Sequence, residues 1–131
     1  MLEYIEQRDR DFTARCRELR KGLRPGERVT RRELVERAIG GGAPCYYLTF
    51  DYAYRMLRDY RRGRLPPRYN RLKAQMLQEL ARKTDSYKQS TGCTADTEAL
   101  SVVLARGAAS RFFISPDYAI RLLGSFTANR L

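Results

Sequence analysis

Apolar residues recur every three or four positions in six stretches of the chain, and polar or glycine-rich segments separate them. Over residues 3–21, for example, they form one stripe while charged side chains fill the other faces, as in an amphipathic helix. The same reading predicts five further helices: one after Thr30, one over residues 50–62, one over about 68–83, one capped by Thr94 or Asp96, and one after Ser115. The chain is therefore predicted to be all-α.

Hydroxyl side chains mark several of the predicted helix starts. The sequence TRRE at Thr30 has the spacing of a capping box, in which the hydroxyl and a glutamate three residues later bond each other's backbone amides. Thr49 and Ser115 are expected to cap the third and sixth helices in the same way. Residues 84–95 are predicted to form the longest and most mobile loop, and residues 124–131 a flexible C-terminal tail.

One phrase of the sequence occurs twice. The stretch APCYYLTFDYAYRML, which begins at Ala43, returns as ASRFFISPDYAIRLL, which begins at Ala109. Six of the fifteen positions are identical, and most others keep an aromatic, aliphatic or hydroxyl residue. We therefore predict one compact domain over residues 1–131, built from two tandem three-helix repeats, about 1–63 and 66–124, with a pseudo-two-fold relation.

The connectors CYYL and RFFI, which precede the third helix of each repeat, have the composition of β-strands. Neighbouring side chains of an extended segment point to opposite faces. One aromatic of each pair is therefore expected in the core, and the other is expected to face a partner or solvent; the pairs are Tyr46 with Tyr47 and Phe112 with Phe113. The two connectors are also candidates for a very small two-stranded β pairing.

The repeated phrase resembles a "PA-P-R/K-F-Y/W-V/L-S/T" signature of small basic proteins of Bacteroides-type bacteria, an uncharacterised family often found near mobile elements. The likeness covers both copies and the helical segment between them. The first copy departs from the signature because Cys45 stands where a basic residue is usual, whereas Arg111 keeps it in the second copy. The resemblance implies a repeat pattern and a bacterial source, and it implies no activity or catalytic residue.

The charge of the chain gives information about its binding partner. The formal net charge is +11 over 131 residues, and 22 of the 26 basic residues are arginine. Arginine suits phosphate because its planar fork donates two parallel hydrogen bonds, although a GC-rich genome also favours arginine over lysine. A small protein this basic is expected to meet a polyanion.

The basic residues concentrate between residues 51 and 75, where eight bases stand against two acids. The eight bases are Arg55, Arg58, Arg61, Arg62, Arg64, Arg68, Arg71 and Lys73. Tyr54 and Tyr69 lie nearby in sequence and could stack on bases. The pattern predicts a phosphate-binding stripe, and its alternative is a solvated face whose arginine stems cover the core.

Two classes of function follow from these features. The first is a nucleic-acid-binding protein, with DNA expected before RNA, whose phosphate contacts come from the arginine-rich stripe. The second is a protein-interaction module, a homodimer or a small assembly subunit that uses the exposed member of each aromatic pair. Helices two and three do not form an ordinary helix-turn-helix, because nine residues connect them instead of three or four.

Catalysis is not expected from this sequence. It contains no histidine, the commonest general base, and no GxSxG, Walker A or GxGxxG motif. The glycines of GGGAP at 40–44 follow a helix, so a helix stop is favoured over a phosphate loop. Asp51 and Asp117 recur in the two copies, and a role in the first helical turn, where they complement the helix dipole, is favoured over paired acids for metal binding. We expect no catalytic residue, cofactor or small-molecule substrate.

The cysteines and the hydropathy of the sequence indicate where in the cell the protein is expected. Three widely spaced cysteines without a CxxC pair argue against a disulfide framework or a zinc site, although one disulfide stays open: Cys16, Cys45 and Cys93. The charged N-terminal residues lack the apolar centre of a signal peptide, and no apolar run is long enough to span a membrane. The expected location is the cytoplasm, without metal or membrane.

Overall fold

The computed structural model describes residues 2–64 and 71–128, and over these residues the chain forms six α-helices and no strand. The all-α prediction is confirmed. The start of the fourth helix, predicted near residue 68, falls outside the described residues. The helices are α1 Leu2–Lys21, α2 Arg31–Gly40, α3 Phe50–Arg61, α4 Arg71–Thr91, α5 Asp96–Arg106 and α6 Pro116–Ala128.

Three helix starts have the predicted hydroxyl cap, although the Glu33 carboxylate does not return the bond that a full capping box would make to the Thr30 amide. The hydroxyl oxygens of Thr30, Thr49 and Ser115 each accept a hydrogen bond from the backbone N–H three residues later, at 3.1, 3.2 and 3.1 Å. Each bond satisfies a donor that has no partner inside the helix. The predicted cap of α5 is wrong, because Ala95 holds that position without a side-chain hydrogen bond and Asp96 is already helical.

Two segments predicted as loop or tail are helical instead. α4 continues to Thr91, so most of the predicted loop 84–95 belongs to the helix. The polar residues of this segment nevertheless make tertiary contacts. Thr84 is fully buried, and the Tyr87 ring lies 5.4 Å from the Arg106 guanidinium. α6 continues to Ala128, so it includes residues 124–128 of the predicted tail.

The helices pack as two compact units, each with its own apolar core. The first unit, Met1–Tyr47 with Ala108–Leu131, packs α1, α2 and α6 together. The second unit, Leu48–Gly107, packs α3, α4 and α5 together. The third helix of each predicted repeat therefore packs on the first two helices of the other repeat. The pseudo-two-fold relation between the repeats stays a prediction.

Aromatic rings fill the core of the first unit. Phe112 meets Phe12 edge to face at 5.3 Å and stacks on Tyr47 at 6.1 Å. Both geometries are favourable for aromatic rings. The second unit has an aliphatic core instead, in which four leucines are at most 1 % exposed: Leu57, Leu77, Leu80 and Leu100.

The β pairing expected of the connectors is reduced to one antiparallel bridge. It joins Ala43 and Ala109, which lie just before the aromatic pairs, and each residue donates its N–H to the other's carbonyl. The aromatic residues themselves are in no strand. One more bond joins the same two segments, from the N–H of Ala108 to the carbonyl of Pro44 at 2.8 Å, but the N–H of Phe112 goes instead to the carbonyl of Ile39 at the end of α2.

Candidate nucleic-acid interface

The first aromatic pair does not divide between core and surface as expected. Tyr46 and Tyr47 are each only 6 % exposed, because Tyr47 has a left-handed backbone with φ 59° that breaks the alternation of an extended segment. The Tyr47 hydroxyl donates a 2.7 Å hydrogen bond to Oδ2 of Asp11. Burial, and then this bond to a carboxylate, raise the pKa of Tyr47 above its ordinary value.

The second aromatic pair divides as expected. Phe112 is buried, and Phe113 is half-buried. Phe113 stacks on Tyr46 at 6.3 Å and lies 5.8 Å from the guanidinium of Arg111. Of the four candidate contact aromatics, Phe113 alone keeps a partly open face.

Seven of the eight candidate basic residues belong to the described part of the second unit, and Arg68 and Tyr69 lie outside the described residues. α3 carries Arg55, Arg58 and Arg61 at helical spacing, and Arg62 is its C-terminal cap. Arg64 follows Gly63, whose φ of 69° turns the chain away from the helix. Arg71 and Lys73 are in the first turn of α4.

Arg61 is held inside its own unit by two carboxylates. Its Nη2 donates to Oδ1 of Asp85 at 2.8 Å, and its Nε lies 3.7 Å from Oδ2 of Asp96. Asp96 also receives a 2.8 Å hydrogen bond from Lys88. The bond to Asp85 raises the pKa of Arg61, against the opposing effect of burial. Arg61 is therefore mainly a structural cation, which fits the alternative interpretation of the stripe.

Lys73 is also engaged within the second unit. Its Nζ donates to the hydroxyl of Tyr52 at 2.8 Å and lies 5.5 Å from the centre of the same ring. A cation over an aromatic face contributes to packing. Lys73 is thus not among the cations that point to an external anion.

Five exposed arginines, unlike Arg61, have no carboxylate within hydrogen-bond distance in the described residues, and we call them the basic surface: Arg55, Arg58, Arg62, Arg64 and Arg71. Arg58 is 3.9 Å from the Asp59 carboxylate, a loose pair in which the arginine side chain is 45 % exposed. Around the other four, no carboxylate of the described residues lies within 4.0 Å. The basic surface therefore carries charge that the described part of the chain does not neutralise.

A depression of about 220 Å³ opens beside the basic surface, and we call it the α3 depression. The ring of Tyr54, which lines it, stacks nearly parallel on the ring of Phe50, with 5.9 Å between the ring centres and 9° between the planes. The four-residue spacing of Phe50, Tyr54, Arg58 and Arg62 already places them on one helical face. The depression is lined by Tyr54, Leu57, Arg58, Arg61, Arg62 and Asp96.

Sequence reasoning missed Asp96 as part of this surface. It was considered only as a cap for α5, and nothing in its neighbourhood along the chain points to α3. The side chain comes to line the depression because α5 packs against α3. The stacking of Phe50 on Tyr54 could have been found, since their spacing is visible in the sequence.

The glycine-rich GGGAP segment ends α2, as predicted. α2 stops at Gly40, and the carbonyl of Gly41 accepts a 3.0 Å hydrogen bond from Arg15. A phosphate cradle presents N–H donors, whereas this carbonyl accepts from a cation. The favoured role of helix stop fits this geometry.

Three further findings concern the candidate chemistry. Searching residues 2–64 and 71–128 finds no cluster of three or more metal-ligating side chains and no helix long and apolar enough to cross a membrane. All three cysteines are free thiols, and Cys16 is the buried one. Burial raises the pKa of the Cys16 thiol from 9.0 to about 11, while Arg20 and Arg15 oppose that shift.

Comparison of the chain with protein-family models, with curated proteins and with solved structures gives no match. The resemblance to the Bacteroides-type signature therefore stays a prediction.

Proposed function

We propose that this chain is a non-catalytic nucleic-acid-binding protein of the cytoplasm that contacts phosphates through the basic surface, with DNA preferred to RNA. One observation carries the proposal. Five exposed arginines lie on α3, directly after it and in the first turn of α4, and among the described residues only Asp59, 3.9 Å from Arg58, has a carboxylate within 4.0 Å of any of them.

The spacing of the arginines strengthens this proposal. Arg55, Arg58 and Arg62 are three and four positions apart, so their charges face the same way and repel one another. A polyanion relieves this repulsion and accepts the paired N–H donors of each guanidinium. The alternative interpretation, in which basic side chains cover the core, fits Arg61 and Lys73, because both are engaged within the second unit. It fits these three exposed arginines less well.

The second copy of the repeat offers a natural comparison. Arg55 has a counterpart in Arg121, but Gly124 and Ala128 stand where the first copy has Arg58 and Arg62. The shared fold of the phrase therefore does not require the basic residues. Their restriction to the first copy favours a role in binding.

The alternative function, a protein-interaction module, has weaker support. It depended on one exposed aromatic in each connector, and both tyrosines of the first connector are buried. Phe113 is half-buried beneath Arg111, so a single ring edge would have to anchor the interface.

Fluorescence anisotropy with labelled duplex DNA tests the proposal. The native chain should bind at about 50 mM salt and lose affinity steeply by about 200 mM. Reversal of Arg55, Arg58 and Arg62 to glutamate should weaken binding at least about tenfold, since each phosphate contact contributes to the salt-dependent term. Circular dichroism checks that the variant keeps its helices.

A charge-matched control separates location from net charge. Reversal of Arg10, Arg17 and Arg121 to glutamate changes the net charge equally, and these three exposed residues belong to the first unit. This control should bind markedly better than the α3 variant. No binding of either duplex or single-stranded nucleic acid by the native chain at low salt, or equal losses in the two variants, would overturn the proposal.

A further inference from the structure

We propose that the α3 depression seats one unpaired nucleobase, which makes the basic surface selective for single-stranded nucleic acid. This inference rests on the proposed function and names the form of nucleic acid that the site would take. Three features of the depression carry it: an aromatic wall, a carboxylate with spare acceptor capacity, and arginines at the edge.

The aromatic wall is pre-arranged for stacking. Tyr54 is half-buried, and its ring is braced by Phe50 in a parallel stack at 5.9 Å. Leu57 adds an apolar floor. A base that stacks on Tyr54 would extend the existing stack by one ring. Every base has an aromatic face that can make this contact.

The carboxylate of Asp96 supplies the polar contact. Its Oδ1 is taken by Lys88 at 2.8 Å, but its Oδ2 is 3.7 Å from Arg61, beyond hydrogen-bond distance. The side chain is 35 % exposed and lines the depression. Oδ2 can therefore accept an N–H from the Watson–Crick edge of a base. In a duplex the partner strand occupies that edge, so an unpaired base is required.

The arginines at the edge suit the phosphates on either side of that base. Arg58 and Arg62 both line the depression, and they lie one helical turn apart. The volume of about 220 Å³ is below that of most drug-sized sites and fits a single flat heterocycle. The sugar–phosphate chain would then run outside, over the basic surface.

Anisotropy with a labelled single strand and the duplex of the same sequence tests the inference. The native chain should bind the single strand more tightly. Tyr54→Ile, which installs the residue found at the equivalent position 120, should weaken single-strand binding about tenfold and change duplex binding less than twofold. Asp96→Asn removes one negative charge, which should strengthen binding to both forms. It should nevertheless lower the ratio of single-strand to duplex affinity, because only the unpaired base uses the carboxylate as an acceptor.

Tyr4→Ile is the matched control, because Tyr4 is exposed and belongs to the first unit. It should leave both affinities unchanged. A second measurement needs no variant: a photoreactive 5-iododeoxyuridine in the single strand should cross-link to the native chain within α3 or at the start of α5.

The outcomes separate this inference from the proposed function. Equal affinity for both forms, an unchanged ratio in Tyr54→Ile, or cross-links outside those two segments would overturn the single-strand inference and leave phosphate binding in place. Failure of the native chain to bind any nucleic acid at low salt would overturn the proposed function itself. Single-stranded RNA, used as a third probe, should show the same dependence on Tyr54.

Discussion

Ala43 and Ala109, which occupy the same position in the two sequence copies, exchange backbone hydrogen bonds of 3.0 and 2.9 Å. Equivalent residues that pair reciprocally are typical of a two-fold contact. The residue before each alanine has a left-handed backbone, with φ of 87° at Gly42 and 43° at Ala108. The two copies thus meet this shared backbone requirement with different residues, and only Gly42 meets it without strain.

Exchanging the residue types at these two positions should shift stability in opposite directions. Gly42→Ala should lower the free energy of unfolding by about 1–2 kcal/mol, because the left-handed region is unfavourable for a residue with a Cβ. Ala108→Gly should raise it by about 0.5 kcal/mol, since relief of strain exceeds the entropy that glycine adds to the unfolded chain. Urea denaturation measures both changes.

Gly40→Ala is the control for this pair. Gly40 ends α2 without a positive φ, and a Cβ added there would meet no atom within 4 Å. Alanine at position 40 should therefore stabilise the protein by about 0.5–1 kcal/mol. Equal effects of alanine at positions 40 and 42 would contradict the backbone argument.

A buried hydroxyl without a partner predicts a stabilising substitution. Thr84 is fully buried in α4, and its Oγ1 finds no hydrogen-bond partner among the described residues. Thr84→Val removes the unsatisfied group and keeps the branched shape, so it should raise the free energy of unfolding by about 1 kcal/mol. Thermal and urea denaturation should agree on the sign.

Thr13→Val provides the matched comparison. Thr13 is also buried, but its hydroxyl donates a 2.7 Å bond to the carbonyl of Asp9. Loss of that bond should destabilise the protein by about 0.5–1 kcal/mol. If both substitutions move stability the same way, the partner of the hydroxyl does not decide the effect.

The parts of this fold that depend on neighbours along the chain could be predicted from the sequence. The hydroxyl caps at Thr30, Thr49 and Ser115 follow from a side chain and an amide three residues apart. The extension of α4 to Thr91 could not, because buried Thr84 and the Tyr87–Arg106 contact depend on packing. The packing of α3 on α4 and α5, and of α6 on α1 and α2, also lies beyond sequence periodicity.

The candidate site was predictable to a similar degree. Helical spacing grouped the arginines of α3, but it could not distinguish Arg61, which pairs with Asp85 from α4, from Arg62, which has no carboxylate partner in the described residues. The left-handed backbone of Tyr47 carries no sequence signal either, since glycine or asparagine is the usual residue there. Burial of both connector tyrosines follows from that one angle.

The buried Cys16 thiol predicts how stability changes at alkaline pH. Burial raises its pKa from 9.0 to about 11. Below pH 9.0 the thiol is neutral in both states, and its contribution to stability is fully present. Between 9.0 and about 11 the unfolded thiol ionises while the folded one stays neutral, so stability falls by at most about 3 kcal/mol.

Cys16→Ala isolates this effect from the ionisation of the tyrosines. The variant should be less stable at neutral pH because of the cavity, but its stability should fall less between about pH 9 and about pH 11. Identical alkaline slopes for the native protein and Cys16→Ala would contradict the assignment.

Arg61 and Arg62 should separate folding from binding. Arg61→Ala removes the contacts with Asp85 and Asp96 and should lower the free energy of unfolding by at most about 1 kcal/mol, because solvent screens these partly exposed pairs. Arg62→Ala should change stability by less than about 0.5 kcal/mol and should weaken nucleic-acid binding instead. High salt should reduce the stability difference, and a persistent difference would argue against an electrostatic cause.

The salt dependence of binding counts the phosphates that the basic surface neutralises. If all five arginines make contact, the logarithm of the association constant should fall with the logarithm of salt concentration with a slope of about −4.5 for duplex DNA and about −3.5 for a single strand. Arg64→Gln should reduce the magnitude of the slope by about 0.9 or 0.7 respectively, since it removes one contact. Arg121→Gln, an exposed arginine of the first unit, should leave the slope unchanged. A slope that responds equally to both substitutions would mean that net charge, and not this surface, governs the interaction.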